Sequence, residues 1–355
     1  PHRRAPSPAG YLILFTMEIT MPWNYVATFT GTGQIHSPVA AAVDSPAAYG
    51  TLRVLWGGGS GGGPLTSFQY ELPPFLSAPA QPVPVTPAPV GNVSSTNQPA
   101  VLFADGQFFA FWRGAVTDTS IYCSPLDKPD PATTLVAAPS GTQDAPMVVA
   151  LGTDQVFLVY NGPDASMEFW SGILGGLGST PTFSTQPGLV ASGAAGYFSP
   201  AVSATPDGGV SLFYAGLQGD DHLYYTSATQ PANSNFIPIS SPDVTTTSKP
   251  ALGTWVPSPE DVGAPTLVAV YPTSNGLYYM EAPYSEVGVT WATPRPVPME
   301  IIPGNAAGQL VTLSNPVVAW ATSPVFSDTL FLLIVDLAAS NTMYLVRYTG
   351  PVRVS

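Results

Sequence analysis

A proline followed by a short run of small or apolar residues recurs six times along the chain, and no other feature limits the fold as tightly. The copies are Ser37-Pro38-Val39-Ala40-Ala41, Gln98-Pro99-Ala100-Val101-Leu102, Ala145-Pro146-Met147-Val148-Val149, Ser199-Pro200-Ala201-Val202-Ser203, Lys249-Pro250-Ala251-Leu252-Gly253 and Asn315-Pro316-Val317-Val318-Ala319. Their prolines stand 61, 47, 54, 50 and 66 residues apart. A period of roughly 50 residues is that of one propeller blade.

Each copy is followed by a second apolar run: Leu52–Trp56, Phe108–Trp112, Val156–Tyr160, Val210–Tyr214, Leu267–Tyr271 and Phe331–Val335. A third run follows a polar or glycine turn: Leu65–Tyr70, Ile121–Cys123, Met167–Trp170, Leu223–Thr226, Leu277–Met280 and Met343–Val346. Short strands with frequent turn signals and no helical period mean an all-β chain. The fold expected is a six-bladed β-propeller of four-stranded antiparallel blades, because radial closure leaves few exposed edges. One domain spans 1–355, with repeats near 31–75, 93–135, 140–185, 194–240, 246–298 and 309–355. Fourth strands are expected from segments such as Phe236–Ile239 and Thr290–Val297. The last repeat ends after three strands, so residues 20–30, in particular Trp23–Thr30, are expected to complete it.

Composition agrees with one large closed β architecture. The 41 prolines and 34 glycines are spread throughout, 45% of residues are hydrophobic and only 9% charged, the reverse of a disordered chain. Net charge is −13 with only two lysines, Lys128 and Lys249, so no basic patch exists for nucleic acid or anionic membranes. The apolar run Tyr11 to Thr16 is too short to span a bilayer, so no membrane insertion is expected. Cys123 is alone and His2, His36 and His222 are scattered, which leaves no zinc-type cluster and no metal site. His2-Arg3-Arg4 reads as a processing or expression remnant, and Asn92-Val93-Ser94 is a glycosylation sequon. Localisation stays open, with a secreted or secretory-lumen setting favoured over the cytoplasm; a homodimer also stays open.

The stretch Thr51-Leu52-Arg53-Val54-Leu55-Trp56 runs into Gly57-Gly58-Gly59-Ser60-Gly61-Gly62-Gly63, which matches both a dinucleotide fingerprint and a nucleophile elbow. Both motifs require a helix directly afterwards. Pro64-Leu65-Thr66-Ser67-Phe68-Gln69-Tyr70 alternates like a strand instead, so the loop is expected to be a mobile hairpin without catalytic duty.

The repeat "SPVAAAV…LRVLWGG" resembles the fungal fucose-binding lectins, whose blades pair a small-residue inner strand with an arginine-bearing second strand. That resemblance implies sugar sites built from a second-strand arginine, a third-strand glutamate and an aromatic platform. Arg53 stands at the arginine position, but Phe109, Phe157, Ser211, Val268 and Leu332 match it elsewhere, and Glu168 and Glu281 are displaced. Each charged hydrogen bond lost costs about 1.5–3 kcal/mol, so the repeated fucose sites are gone. Glu286-Val287-Gly288-Val289-Thr290-Trp291 resembles an Asp-box, a hairpin device without chemistry. A sialidase also needs three convergent arginines, and three of the seven here lie near the termini.

A retained fold without its clamp is also similar to the lectin-like fungal hetero-Diels–Alderases of tropolonic sesquiterpenoid pathways. This resemblance implies a cofactor-independent pericyclase that joins a tropolone o-quinone methide to a humulene-type alkene. Such chemistry suits a dry apolar pocket that aligns two reactants and offers a few donors. The inner strands are apolar enough to line one at the axis, with a hydrophobic small molecule as partner. The candidate walls are Trp56, Trp112, Phe103, Tyr160, Tyr214, Trp255 and Trp320. Arg53 and Arg113 are candidate donors to a tropolone oxygen pair. Asp105 is the candidate acid or base for water loss; like Asp44 it is equally read as a turn carboxylate. Asp220-Asp221-His222 reads as a solvated tip. The other readings are a carbohydrate-binding lectin with non-fucose sites on Tyr and Trp platforms, and a non-catalytic scaffold or secreted effector.

Overall fold

β-Branched and aromatic residues fill the short runs between proline and glycine turns, and such residues pack well on a pleated, half-buried surface. In the computed structural model these runs are strands. It describes residues 22–35, 39–44, 50–57, 62–72, 82–95, 98–115, 117–126, 134–137, 146–152, 155–162, 165–174, 181–184, 188–190, 194–196, 198–231, 235–260, 263–302, 316–322, 327–336 and 342–351.

The chain enters with β1 (Trp23–Thr30). Blade one contains β2 (Val39–Val43), β3 (Thr51–Trp56), β4 (Gly63–Glu71) and β6 (Ala88–Ser95), while the short β5 (Val83–Pro84) lies parallel to β1. Blade two is β7 (Ala100–Ala104), β8 (Gln107–Arg113), β9 (Ile121–Pro125) and β10 (Thr134–Ala137). In blade three, β11 (Met147–Leu151), β12 (Gln155–Asn161) and β13 (Met167–Ile173) carry two short outer strands, β14 (Thr182–Phe183) and β15 (Gly188–Leu189). Blade four has β16 (Ala201–Ala204), β17 (Val210–Ala215) and β18 (Leu223–Ala228). Blade five has β19 (Ala251–Trp255), β20 (Thr266–Thr273), β21 (Gly276–Pro283) and β22 (Arg295–Pro296). Blade six has β23 (Pro316–Thr322), β24 (Leu330–Asp336) and β25 (Met343–Tyr348).

β1 completes blade six. It runs antiparallel to β25, with Trp23 opposite Tyr348 and Phe29 opposite Met343. The fold is therefore the six-bladed propeller expected, with its first strand closing its last blade. Two fourth strands are shorter than expected. Around Phe236–Ile239 there is no ladder: Ile237 N donates to Ser227 O at 2.8 Å, and single bridges join Tyr225 to Ser240 and His222 to Thr245. Pro238 and Pro242 lack the N–H groups a ladder needs. Within 290–297 only Arg295 and Pro296 pair, for the same reason, between Pro294 and Pro298.

The core is a ring of interblade layers. Val26, Phe29, Val54 and Leu333 meet between blades six and one, and Trp23, Val268, Leu332 and Val346 between five and six. No helix follows the glycine loop, since β4 begins at Gly63 and pairs with β3. Residues 58–61, and so Ser60, lie outside the described residues. Among the described residues no helix is long and apolar enough to cross a membrane.

Candidate functional site: the axis and two interblade clefts

The inner strands converge so that Ala40, Val101, Val148, Val202, Leu252 and Val318, one from each blade, line a cavity on the axis. Its volume is about 30 Å³. Small-molecule sites occupy roughly 300–1,000 Å³. The expected central pocket for a terpene is therefore corrected: branched inner-strand side chains fill the axis. Trp320 lines the cavity but stacks on Trp23, centroids 5.9 Å apart and 19° from parallel. Trp255 packs between blades, its Nε1 donating to Asp328 O at 2.6 Å. The two indoles do not form a sandwich at the axis.

The other candidate aromatics also have packing partners. Trp112 stacks on Tyr122 and Tyr214 on Tyr224, at 6.0 and 5.8 Å. Trp56 meets Phe68 edge-on at 6.1 Å, and Phe103 meets Phe108 at 4.9 Å. Tyr160 donates to Glu168 Oε2 at 2.6 Å and accepts from Trp170 Nε1 at 2.8 Å. Burial and the Glu168 carboxylate push the Tyr160 hydroxyl pKa far up, so it stays neutral.

Arg53, Arg113 and Asp105 are not brought together. Asp105 and Gly106 join β7 to β8 with φ of 49° and 76°, a two-residue turn of the kind Asp-Gly favours. Arg113 ends the same strand that this turn begins, so the strand of seven residues, about 3.3 Å each, separates them. Alternation along β8 places Arg113 on the face of Phe109 and Phe111, toward blade three. Arg53 lines a cleft between blades one and two instead. Asp44 caps its own turn, accepting from Thr51 N at 2.6 Å.

Strand register revises the comparison of clamp positions. Arg53 lies opposite Gln69 and donates to its Oε1 at 2.9 Å. Val268 lies opposite Glu281, so Glu281 occupies in blade five the place Gln69 has in blade one. Its Oε1 accepts from Tyr348 OH at 2.7 Å. In blade six Leu332 faces blade five, and Leu333 is the residue on the matching face; a one-residue slip reverses the side. Phe109, Phe157, Ser211, Val268 and Leu333 are all fully buried, so each position now belongs to the core. At these paired positions the arginine and the glutamate thus stand in different blades, one and five.

Two clefts have the size the axis lacks. One, of about 480 Å³, is lined by Arg53, Ser67, Gln69, Pro89 and Leu126. The other, of about 570 Å³, lies between blades three and four, with Leu151, Val156, Ile173, Phe183 and Pro231 as its apolar surface. Gln155, Ser171, Thr182, Thr229 and Gln230 supply hydroxyl and amide groups, and none of the described lining residues is charged. Phe183 lies over Gly172, where an added Cβ would stand 2.8 Å from the ring. Ile173 is 62% exposed, an apolar side chain held at the open surface.

A hairpin device escaped the sequence reading. Tyr122 OH donates to Asp118 Oδ2 at 2.7 Å in blade two, and Tyr224 OH to Asp220 Oδ2 at 2.8 Å in blade four. Each carboxylate packs on the glycine four residues earlier, Gly114 or Gly216. The shared spacing Gly-x-x-x-Asp-x-x-x-Tyr was the available signal. His222 Nδ1 lies 3.1 Å from Asp220 Oδ1 on an exposed tip.

No protein-family model matches the sequence, and no curated protein matches it. Among solved structures the chain is similar to the Aleuria aurantia lectin, described as a fungal lectin with a six-bladed β-propeller fold and a novel fucose recognition mode. The TM-score is 0.54 at 11% identity, over 88% of this chain and 91% of that one. A triple arginine-to-alanine mutant of AofleA from Arthrobotrys oligospora gives 0.55 at 7%, over 91% and 86%. A protein of unknown function from Dyadobacter fermentans gives 0.54 at 11%, over 92% and 99%. The class is that of lectin-like six-bladed β-propellers, a likeness of fold.

Proposed function

We propose that the protein binds a hydrophobic small molecule in the cleft between blades three and four and acts there as a cofactor-independent hetero-Diels–Alderase. The observation that carries this reading is the cleft of about 570 Å³, apolar on most of its wall and with no charge among its described lining residues. It supports a neutral ligand with a flat or polyene body. In the reaction implied by the resemblance, a hydroxylated tropolone loses water to give an o-quinone methide, whose heterodiene forms two bonds with an alkene. None of the described lining residues is titratable, and in this reading the cleft receives the methide already formed. The cleft aligns diene and alkene, which in intramolecular reference reactions contributes about 7–11 kcal/mol. Gln155, Thr182 and Gln230 are the donors at hand for the tropolone oxygens.

The test is conversion of a quinone-methide precursor and humulene, followed by mass spectrometry against the uncatalysed rate. Acceleration by the parent protein is expected, with about a tenfold loss in Phe183→Ala and none in Arg53→Ala. Equal rates with and without protein would overturn the proposal. A second reading rests on a different observation: Arg53 and Gln69, hydrogen-bonded and lining the other cleft, retain one polar sugar-type corner. Glycan-array binding abolished by Arg53→Ala would favour that lectin reading.

A further inference from the structure

Asn92-Val93-Ser94 is the one segment of the 355 residues that meets the Asn-x-Ser/Thr rule for N-linked glycosylation with a middle residue other than proline. It sits on β6, the terminal strand of its sheet, and the strand is not regular there. Pro64 of β4 lies opposite Ser94 and Thr66 opposite Pro89, so Leu65 alone faces residues 90–93. The surplus residues form a bulge. Gly91 turns it with a φ of 52°, a conformation that glycine adopts without strain. Val90 and Val93 pin the bulge by packing on the layer between blades one and two, where Leu55, Leu65 and Trp112 meet. Gly91, Asn92 and Ser94 are left exposed. Val90 and Gly91 also line the cleft of Arg53 and Gln69, which puts Asn92 at that cleft's rim.

We propose that Asn92 is an N-glycosylation site whose glycan stands at the mouth of the Arg53 cleft. The donor is an oligosaccharide carried on a lipid pyrophosphate. A bond forms between Asn92 Nδ2 and the anomeric carbon of the first N-acetylglucosamine. The bond from that carbon to the pyrophosphate oxygen breaks, Nδ2 loses a proton, and the lipid pyrophosphate leaves. The transferase meets the chain before it folds, so the fold's part is to leave the modified side chain room. A buried asparagine cannot carry a bulky polar group without breaking the packing around it, whereas one exposed on a bulge can. The glycan also stands beside a terminal strand, where open N–H and C=O groups otherwise invite pairing with other chains. Passage of the chain through a secretory lumen belongs to the proposal. The cleft proposed for the apolar ligand shares no lining residue with this one, so the two sites stand or fall separately.

The whole chain, secreted from yeast behind a cleavable leader, tests the idea by intact-mass spectrometry before and after peptide-N-glycosidase in heavy-oxygen water. The expected result is excess mass that the enzyme removes, with the heavy oxygen found at position 92 as the asparagine becomes aspartate. Asn92→Gln and Ser94→Ala should both lack the excess mass and keep the Tm of the enzyme-treated parent. If neither variant is secreted, the label at position 92 of the parent decides alone, and a chain held in the cell is read in the same way from its membrane fraction. A parent at its unmodified mass overturns the proposal. The place of the glycan is read through Thr86→Cys, since Thr86 is exposed and lines the same cleft while Cys123 is buried. A bulky maleimide should label Cys at that position several-fold more slowly before glycan removal than after it. Equal rates would show that the glycan does not stand at the cleft mouth and would overturn that part.

Discussion

Asp105 shows how one side chain's surroundings choose between two roles. Both Asp105 and Gly106 have positive φ, a region that costs most L residues about 1–2 kcal/mol and that Asp and Gly tolerate. Asp105→Gly is therefore expected to fold with nearly the parental Tm and leave any turnover intact, whereas an acid–base role requires activity to fall. Measuring both in the one variant separates the two. The paired hairpins give a pH signature at the same scale. The tyrosine hydroxyl bonds, assisted by Ser120 in one and His222 in the other, hold Asp118 and Asp220 below the ordinary carboxylate range against the opposing effect of burial. A depressed carboxylate pKa adds stability above the unfolded value near 3.9, and that stability is lost as the pH falls through the folded value. Tyr122→Phe and Tyr224→Phe should accordingly lower Tm at pH 6 but converge on the parent by about pH 2–3. A constant offset across calorimetric scans at all pH values would show that the hydroxyls act by packing alone.

At the scale of strands, the second and third strand of each blade were legible as short apolar runs bounded by turn residues, five of the six second runs ending in an aromatic. The fourth strands were not. Outer strands carry little of the core, so Phe236–Ile239 reads as apolar in sequence while its prolines prevent a ladder. The candidate site was less legible than the strands. The cleft of Leu151, Phe183 and Pro231 belongs to two blades, and Lys249 meets Gln98 only when the ring closes. Arg53 and Arg113 looked alike because both stand near a second-strand tryptophan, but one lines the cleft to blade two and the other faces blade three. Of the aromatics taken for a ligand wall, Trp255 and Trp320 pack between blades, while Trp112, Tyr214 and Phe103 are in cross-strand pairs. One such pair predicts alkaline behaviour: burial, and then Tyr278, push the Tyr271 hydroxyl up to about 12. Burial also raises Tyr160, Tyr214 and Tyr225. Raised tyrosine values add stability below the unfolded pKa near 10, and it is lost as pH climbs through the folded values. Absorbance at 295 nm should therefore show exposed tyrosines ionising near pH 10 and the buried set only with cooperative unfolding at higher pH. Complete ionisation near pH 10 with intact near-ultraviolet circular dichroism would contradict this burial.

The whole molecule is held by a seam that the repeat count alone exposed: five complete repeats, and a sixth lacking a strand. β1 supplies it, and the register shift between Tyr25 and Ala27 lets the strand serve two layers. Val26, Ala27 and Phe29 enter the layer between blades six and one, while Trp23 enters that between five and six. Trp23 stacks on Trp320 and meets Tyr279 and Tyr348 edge-on, both at 5.2 Å. Beyond it, Thr349 N donates to Pro22 O at 2.9 Å, tying the described ends together. Every layer of the ring is shared by neighbours, so opening this seam bares two apolar layers at once. Trp23→Ala is expected to cost about 3–5 kcal/mol, a large part of the roughly 5–15 kcal/mol that holds a typical domain together. Its denaturant slope should stay near the parent's, because the ring still unfolds as a unit. A chain beginning at residue 31 presents the unpaired edge of β25 and should associate with other copies. Chemical denaturation of Trp23→Ala and light scattering of the shortened chain measure the two effects. A monomeric shortened chain with parental Tm would mean that the ring is closed by contacts other than β1.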